Sequence, residues 1–212
     1  MGALLEIANV LARADIKSDL FKELDRFDAS LSRMADMPNV DTGVLDQILD
    51  NIRACSQALQ GLGGQLGSQL RADDFLTSIQ QRSSIPGGSF DFDLPQFHLW
   101  LQLPYEQRRA HLQAWQAEIT PVRDATELIL DMIRNSDTPT REQAERGFFQ
   151  KSLPTGISAQ MVRVKLPADL RVYAEVSGGK HRFSIRILES ADWGHPTQVD
   201  FDLEFQLTTC VL

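Results

Sequence analysis

The sequence predicts an α+β protein in which an all-helical domain precedes a smaller, mainly antiparallel β domain. Up to residue 136 the apolar residues recur at spacings of three and four, which is typical of amphipathic helices. After a polar connector they alternate at period two, which is typical of strands with one solvated face. Helices first and strands afterwards indicate an α+β fold. We therefore predict a helical domain at 1–136, a connector at 137–159 and a β domain at 160–212.

The helices are predicted from their apolar stripes and from the residues at their ends. One is expected from Asp15 to Met34, and a second begins after Asp41, a good N-cap residue, and ends in a glycine-rich stretch. A third is expected over Ala72–Arg82. Two more follow, with Pro104 and Pro121 at the first helical position, where proline's missing amide is not needed.

Four strands are predicted in the β domain: Met161–Leu166, Val172–Val176, Arg182–Leu188 and Gln198–Leu207. The second and third flank Ser177–Lys180, in which Gly178-Gly179 suits a type I′ hairpin turn. Along the last strand the inward side chains are expected to be Val199, Phe201, Leu203, Phe205 and Leu207.

The stretch at 84–100, "SIPGGSFDFDLPQFHLW", is the most unusual in the chain. Gly87-Gly88 has neither the spaced glycines of a dinucleotide loop nor the Gly-Lys-Ser/Thr of a P-loop. Asp91 and Asp93 lack a calcium-loop pattern, and the histidines are not paired at zinc spacing. We predict a joint between two helices, held to the core by Phe90, Phe92, Leu94, Phe97 and Trp100.

A small-molecule or enzymatic pocket at this stretch is the alternative, lined by Asp91, Asp93, His98 and Trp100. The sequence offers it no nucleophile with a base and no cofactor motif. We therefore expect no enzyme activity, no cofactor and no metal.

The composition restricts the class of partner. A formal net charge of −8 opposes nucleic acid as the main partner, since duplex binding needs a surplus of Lys and Arg. No apolar run approaches the length of a membrane span, so no membrane insertion is expected. The start of the chain lacks a basic segment ahead of its apolar residues, and only two cysteines occur, which favours a reducing cytoplasm.

Charge is unevenly distributed in the β domain. Residues 160–188 contain two acidic residues and six basic ones: Arg163, Lys165, Arg171, Lys180, Arg182 and Arg186. From residue 189 to the end there are acids but no Lys or Arg. Strand alternation puts several of these cations on one solvated face, where guanidinium groups bind carboxylates in bidentate fashion.

Two interpretations of this basic face remain open. It binds an acidic partner through Arg182, Arg186, Lys180, Arg163 and Lys165, with Arg13 at the rim. Alternatively, the arginines pair across strands with Asp200, Asp202 and Glu204 and bind nothing. Arg13 is the weaker candidate of the set, and a solvated helix face is the favoured explanation for it.

The chain also resembles the ZapD family of Z-ring-associated cell-division proteins. The resemblance lies in "SIPGG", "FDLP", His98 and "WL" within 84–101. Further matches follow in the expected order: "LFKELDRFDASL" at 20–31, "LDMIRNS" at 130–136, "GGKHRFSIRI" at 178–187 and "VDFDLEF" at 199–205. Together these motifs cover nearly the whole chain.

The resemblance implies a non-enzymatic cytoplasmic homodimer, located at mid-cell on the division ring, with a helical domain and a β domain. Members of this kind bind the C-terminal tail of the tubulin-like protein FtsZ and bundle its filaments. The resemblance favours partner binding by the basic face, because such a tail is short, flexible and charged. The family also has a further N-terminal segment ahead of the point that corresponds to Ala3.

Overall fold

The structure, a computed structural model, confirms the α+β class. It describes residues 1–13, 15–35, 37–38, 40–83, 85–88, 90–154, 156–157, 159–179, 181–189 and 194–211. Within these residues eight α-helices precede seven β-strands. Internal contacts divide the chain into two compact parts, Met1–Ile129 and Leu130–Leu212, which we call the helical unit and the β unit.

The helices are α1 (Gly2–Arg13), α2 (Ile16–Ser32), α3 (Thr42–Gly61), α4 (Ser68–Ala72), α5 (Asp74–Ser83), α6 (Pro95–Gln102), α7 (Tyr105–Ala117) and α8 (Thr120–Arg134). The expected helices at 15–34, after Asp41 and at 72–82 correspond to α2, α3 and α5. The Asp41 carboxylate accepts the N–H groups of Gly43 and Val44, as its N-cap position requires. Pro104 is the N-cap of α7 rather than its first residue.

The core of the helical unit is apolar and draws on several helices. Leu24 and Phe27 of α2 and Ile52 and Leu59 of α3 are at most 2% exposed. A further cluster joins α1, α4 and α5 with the start of α6, through Leu4, Leu5, Ala8, Leu70, Leu76, Ile79 and Leu94. These side chains follow the three- and four-residue spacing of the sequence, which is why the helices were predictable.

The strands are β1 (Thr140–Ala144), β2 (Phe148–Ser152), β3 (Ala159–Lys165), β4 (Val172–Gly179), β5 (Arg182–Glu189), β6 (Thr197–Gln198) and β7 (Leu203–Val211). They form two antiparallel sheets, ordered β1-β7-β3 and β2-β5-β4, with β6 paired to β5. We call these sheet A and sheet B.

One apolar cluster contains residues of both sheets, so their inner faces share a core. Its fully packed members are Ala144, Phe183, Ile185, Ile187, Val199, Leu203, Phe205 and Leu207. Phe149 of sheet B meets Phe205 of sheet A edge to face, with ring centroids 5.2 Å apart. Because one face of each sheet is buried in this core, the other face of each is left for water or partners.

The segment predicted as a connector, 137–159, contains β1 and β2. In β1 only Ala144 is buried, and in β2 no residue is. Neither strand therefore has the apolar alternation that a sequence can reveal. Their strand conformation depends on pairing with the distant β7 and β5.

A tight turn at Arg146-Gly147 leads the chain from sheet A into sheet B. Both residues have positive φ, 47° and 74°, as a type I′ turn requires. The Asp202 carboxylate accepts the Arg146 N–H at 2.9 Å, and the Gly147 carbonyl accepts the Ile187 N–H at 2.7 Å. These two hydrogen bonds hold the turn between β1 and β2 against β5 and against the segment before β7.

Two expectations for the β unit are corrected. Gly178 and Gly179 do not form a turn: they end β4, paired with Phe183 and Arg182, because the strand pairing runs further than its apolar residues. Phe201 does not face inward but is 45% exposed, since it lies ahead of β7 and outside its alternation.

We predict that Gly147→Ala destabilises the β unit. A Cβ at this position would lie 2.7 Å from the Val199 carbonyl oxygen. The left-handed backbone alone costs a non-glycine residue about 1–3 kcal/mol, and the clash adds to that. Urea unfolding followed by circular dichroism measures the loss. The control is Gly179→Ala, whose Cβ meets nothing within 4 Å; equal stability of the two variants would contradict the prediction.

A second prediction concerns Glu118, at the end of α7. Burial raises the pKa of its carboxyl group; the Leu70 N–H lowers it and the Asp73 carboxylate raises it. A raised pKa in the folded state means that stability falls as pH rises through that pKa. Glu118→Gln should therefore raise the melting temperature at pH 7, with the gain vanishing below the ordinary glutamate pKa of about 4.3.

The matched control is Glu127→Gln, which removes an exposed carboxylate from the neighbouring helix α8. Melting curves of both variants between pH 4 and pH 7 test the prediction. A lower melting temperature for Glu118→Gln at pH 7 would contradict it and would mean that the hydrogen bond from Leu70 outweighs the cost of burial.

Candidate functional site

Strand β5 carries two arginines on the outer face of sheet B. Phe183, Ile185 and Ile187 are at most 4% exposed and face the core. Because side chains alternate along a strand, Arg182 and Arg186 point the opposite way, and both are exposed. The sequence prediction of an outward arginine pair on this strand agrees with these positions.

Arg182 has no carboxylate opposite it on either neighbouring strand. Its partners in register are Ser152 on β2 and Gly179 on β4. With Ser152 and His181 it lines an open depression of about 570 Å³. Among the described residues, none makes an ion pair with this guanidinium group.

Arg186 has different neighbours. Phe148 of β2 lies opposite it on one side and Glu175 of β4 on the other. Its guanidinium group donates to the Glu175 carboxylate in an exposed ion pair, with side chains 55% and 51% accessible. This arginine therefore already binds an acidic group, whereas no described residue plays that part for Arg182.

The competing interpretation, pairing with Asp200, Asp202 and Glu204, is wrong for the described residues. Glu204 lies on β7 in the other sheet, and Asp200 and Asp202 precede that strand. The Asp202 carboxylate instead accepts from Arg146 and from Gln143. Sequence order had suggested that the last strand follows β5 in the same sheet, whereas β7 crosses to sheet A.

Arg163 and Lys165 do not lie beside Arg182 and Arg186. They project from β3, in sheet A, while Val162 and Val164 pack on the shared core. Arg163 donates to the Arg134 carbonyl at 3.0 Å. Lys165 lines a depression of about 380 Å³ whose other charged residues are Arg141 and Glu204. The predicted cluster is therefore divided between the outer faces of two sheets.

Two further predicted residues cannot be placed in the site. Lys180 lies outside the described residues. Arg13 ends α1, but its side chain is likewise outside the part of the structure that is described.

Phe148 lies on this surface and was missed by sequence reasoning. It is 43% exposed on the outer face, directly opposite Arg186, and Tyr173 on β4 is exposed to the same extent. The aromatic pair in "GFF" within the connector was the available signal, but only strand pairing reveals which phenylalanine points outward. The surface thus combines two guanidinium groups with exposed aromatic rings, which suits a ligand that is both acidic and apolar.

The alternative pocket residues near 91–100 are engaged with one another or with neighbours. His98 Nδ1 lies 2.8 Å from the Asp91 carboxylate, and Asp93 lies 3.6 Å from the Arg82 guanidinium. The Trp100 indole donates to His111 Nδ1 at 3.0 Å. This arrangement ties the helices on either side of the joint together.

The joint itself is partly different from the prediction. Leu94 is 5% exposed and Phe97 packs against the core cluster, as expected of anchors. Phe90 and Phe92 do not anchor it: they stack on each other and are 59% and 80% exposed. They lie in the turns before α6 begins, where no helix periodicity directs them inward.

A metal-ion site and a membrane-spanning helix are both absent from the described part of the chain. There, no three or more His, Cys, Asp and Glu side chains come together in a way that suits a metal ion. None of the described helices combines the length and apolar character needed to cross a bilayer.

Comparison with known proteins decides the family. The model of the ZapD family, described as a cell division protein, matches residues 1–186. The chain belongs to the ZapD family. It is 40% identical to the cell division protein ZapD of Methylococcus capsulatus over 212 residues, which is 100% of this chain and 83% of that protein. It is 37% identical to that of Chromobacterium violaceum over 211 residues, or 99% and 83%.

The resemblance read from the sequence motifs is therefore confirmed. The ZapD match spans the helical unit and reaches Arg186 in the β unit. The chain is thus a member of a family of cell division proteins, and the outer face of β5 is its candidate binding surface.

We predict that the two arginines contribute little to folding. Arg182→Gln should change the free energy of unfolding by less than about 0.5 kcal/mol, as for other exposed residues. Arg186→Gln removes one exposed ion pair and should cost at most about 1 kcal/mol. Urea unfolding measures both. Ile185→Ala, which truncates a side chain with 0% exposure between them, should cost about 2–5 kcal/mol; a comparable loss for either arginine would show a structural role.

Proposed function

We propose that this protein binds the C-terminal tail of FtsZ and cross-links FtsZ filaments into bundles, thereby stabilising the division ring. The observation that carries the proposal is the exposed arginine pair on the outer face of β5. The chain that bears this pair has a net charge of −8 and belongs to a family of cell division proteins. A strongly acidic protein that keeps two guanidinium groups in water on one strand has a surface suited to carboxylates.

The spacing of the arginines favours an extended peptide as ligand. Arg182 and Arg186 are four residues apart on one strand, which corresponds to about 13 Å between their Cα atoms. Two acidic side chains four residues apart in an extended peptide would lie the same distance apart. Phe148 and Tyr173 offer apolar contact beside the arginines, so a short tail containing acidic and apolar residues fits both features.

Bundling requires two such surfaces in one particle, and we propose a homodimer as their source. One exposed site per subunit binds weakly, because exposed ion pairs contribute little individually. Two sites that hold tails of two filaments raise the effective concentration of the second contact and turn weak binding into cross-linking. The role is one of binding without catalysis, in the cytoplasm at the mid-cell ring.

The other predicted residues have secondary places in this proposal. Arg163 and Lys165 project from the other sheet, so a tail held by Arg182 and Arg186 reaches them only if it passes around the β unit. Lys180 and Arg13 remain proposed contributors on the strength of the family resemblance. The pocket formed by Asp91, Asp93, His98 and Trp100 gains no support from the contacts described above.

A filament pelleting assay tests the proposal. Wild-type protein should carry polymerised FtsZ into the low-speed pellet, and Arg182→Glu with Arg186→Glu should weaken tail-peptide binding by at least about tenfold and abolish bundling. The physical reason is that reversal replaces two attractions with two repulsions. Bundling by the wild type should also weaken as salt rises, since the Debye length is about 8 Å at physiological ionic strength.

The matched control reverses the two cations of sheet A, Arg163→Glu with Lys165→Glu. It makes the same change in net charge on the other outer face and should leave most of the bundling intact. Circular dichroism and solution mass establish that both variants are folded and associated as the wild type is. Unchanged bundling by the folded Arg182/Arg186 variant would overturn the proposal.

A further inference from the structure

The two arginines of the proposed site differ in the residue that lies opposite each of them on β4, which the sequence pattern does not reveal. Arg182 faces Gly179 on β4, whereas Arg186 faces Glu175 on the same strand and is ion-paired with it. Both partners of that ion pair are about half exposed. The pair is therefore formed and broken in water rather than sealed in the core.

We propose that Glu175 is an intramolecular competitor, which occupies Arg186 until a carboxylate of the bound peptide displaces it. This inference rests on the proposed function, since it concerns the same surface. In this role Glu175 sets how tightly the surface binds acidic peptides and which of them it prefers.

The position of Glu175 makes it an effective competitor. Directly opposite residues of neighbouring antiparallel strands hold their Cβ atoms about 4.5–5.5 Å apart, so the carboxylate stays within reach of the guanidinium group at all times. A free peptide gains binding free energy from Arg186 only if its carboxylate binds the guanidinium group more strongly than the tethered Glu175 carboxylate does. No covalent or proton-transfer step is involved: one carboxylate replaces another on the same guanidinium group.

Competition also determines which peptides bind. Arg182, which faces glycine on β4 and serine on β2, accepts a first carboxylate without displacing the acidic side chain of any described residue. Arg186 accepts a second carboxylate most readily from a peptide already held at Arg182, because that tethering raises the local concentration of the second carboxylate and lets it compete with Glu175. The surface thus favours ligands with two acidic groups about 13 Å apart over ligands with a single one.

Glu175→Gln should remove the competitor while it preserves the size and hydrogen-bonding capacity of the side chain. We expect a labelled peptide of the FtsZ C-terminal tail to bind this variant about two- to fivefold more tightly than wild type, in line with the strength of an exposed cross-strand ion pair. Fluorescence anisotropy at low and high salt measures the change. The gain should disappear at high salt, where both carboxylates are screened.

The matched control is Glu204→Gln, which removes one negative charge from an exposed residue on sheet A. If it tightens binding as much as Glu175→Gln does, the effect is one of net charge and the inference is overturned. A double-mutant cycle adds the decisive comparison: in an Arg186→Gln background, Glu175→Gln should no longer tighten binding.

The outcomes separate this inference from the proposed function. If charge reversal of Arg182 and Arg186 leaves tail binding unchanged, the proposed function fails, and the competitor role fails with it. If reversal weakens binding but Glu175→Gln binds the tail no more tightly than wild type, only the competitor role is overturned. Circular dichroism spectra that match the wild type at the assay temperature establish that the glutamine variants are folded and that the differences arise at the surface.

Discussion

The β unit depends on the turn at Arg146-Gly147, because the chain crosses there from one sheet to the other around a shared core. The turn needs positive φ at both residues, and a carbonyl of the Val199 segment leaves no room for a Cβ at Gly147. Asp202 and Ile187 hold the turn from two sides. With this crossing in place, β2 lies beside β5 and β1 lies beside β7, and each sheet has one buried face.

The pairing of the strands determines where the candidate site lies, on the outer face of β5. Once Phe183, Ile185 and Ile187 are committed to the core, Arg182 and Arg186 must face water, since alternation allows no other side. The same pairing brings Phe148 and Glu175 to either side of Arg186. The site therefore follows from core packing: an aromatic ring, a guanidinium group and its acidic neighbour come together on the exposed face of sheet B.

Much of the fold was predictable because it depends on local pattern. The helices carry apolar residues at spacings of three and four, and β3, β4 and β5 carry clear alternation or a run ending in glycines. β1 and β2 were missed because they bury almost nothing of their own, and their conformation is imposed by partners far along the chain. Phe148 was missed for the same reason. Phe90 and Phe92 were misplaced because hydrophobicity alone does not direct a side chain in a turn.

The sequence by itself determined the order of helices and strands, the outward direction of Arg182 and Arg186, and the motifs that identify the ZapD family, since each follows from residues close together in the chain. Tertiary structure alone decided which strands are neighbours. Arg163 and Lys165 lie in another sheet, Glu204 lies on β7 in that same sheet, and Glu175 pairs with Arg186. The physical reason is that strand pairing joins residues distant in sequence, and backbone hydrogen bonds carry no information about which side chains they will bring together.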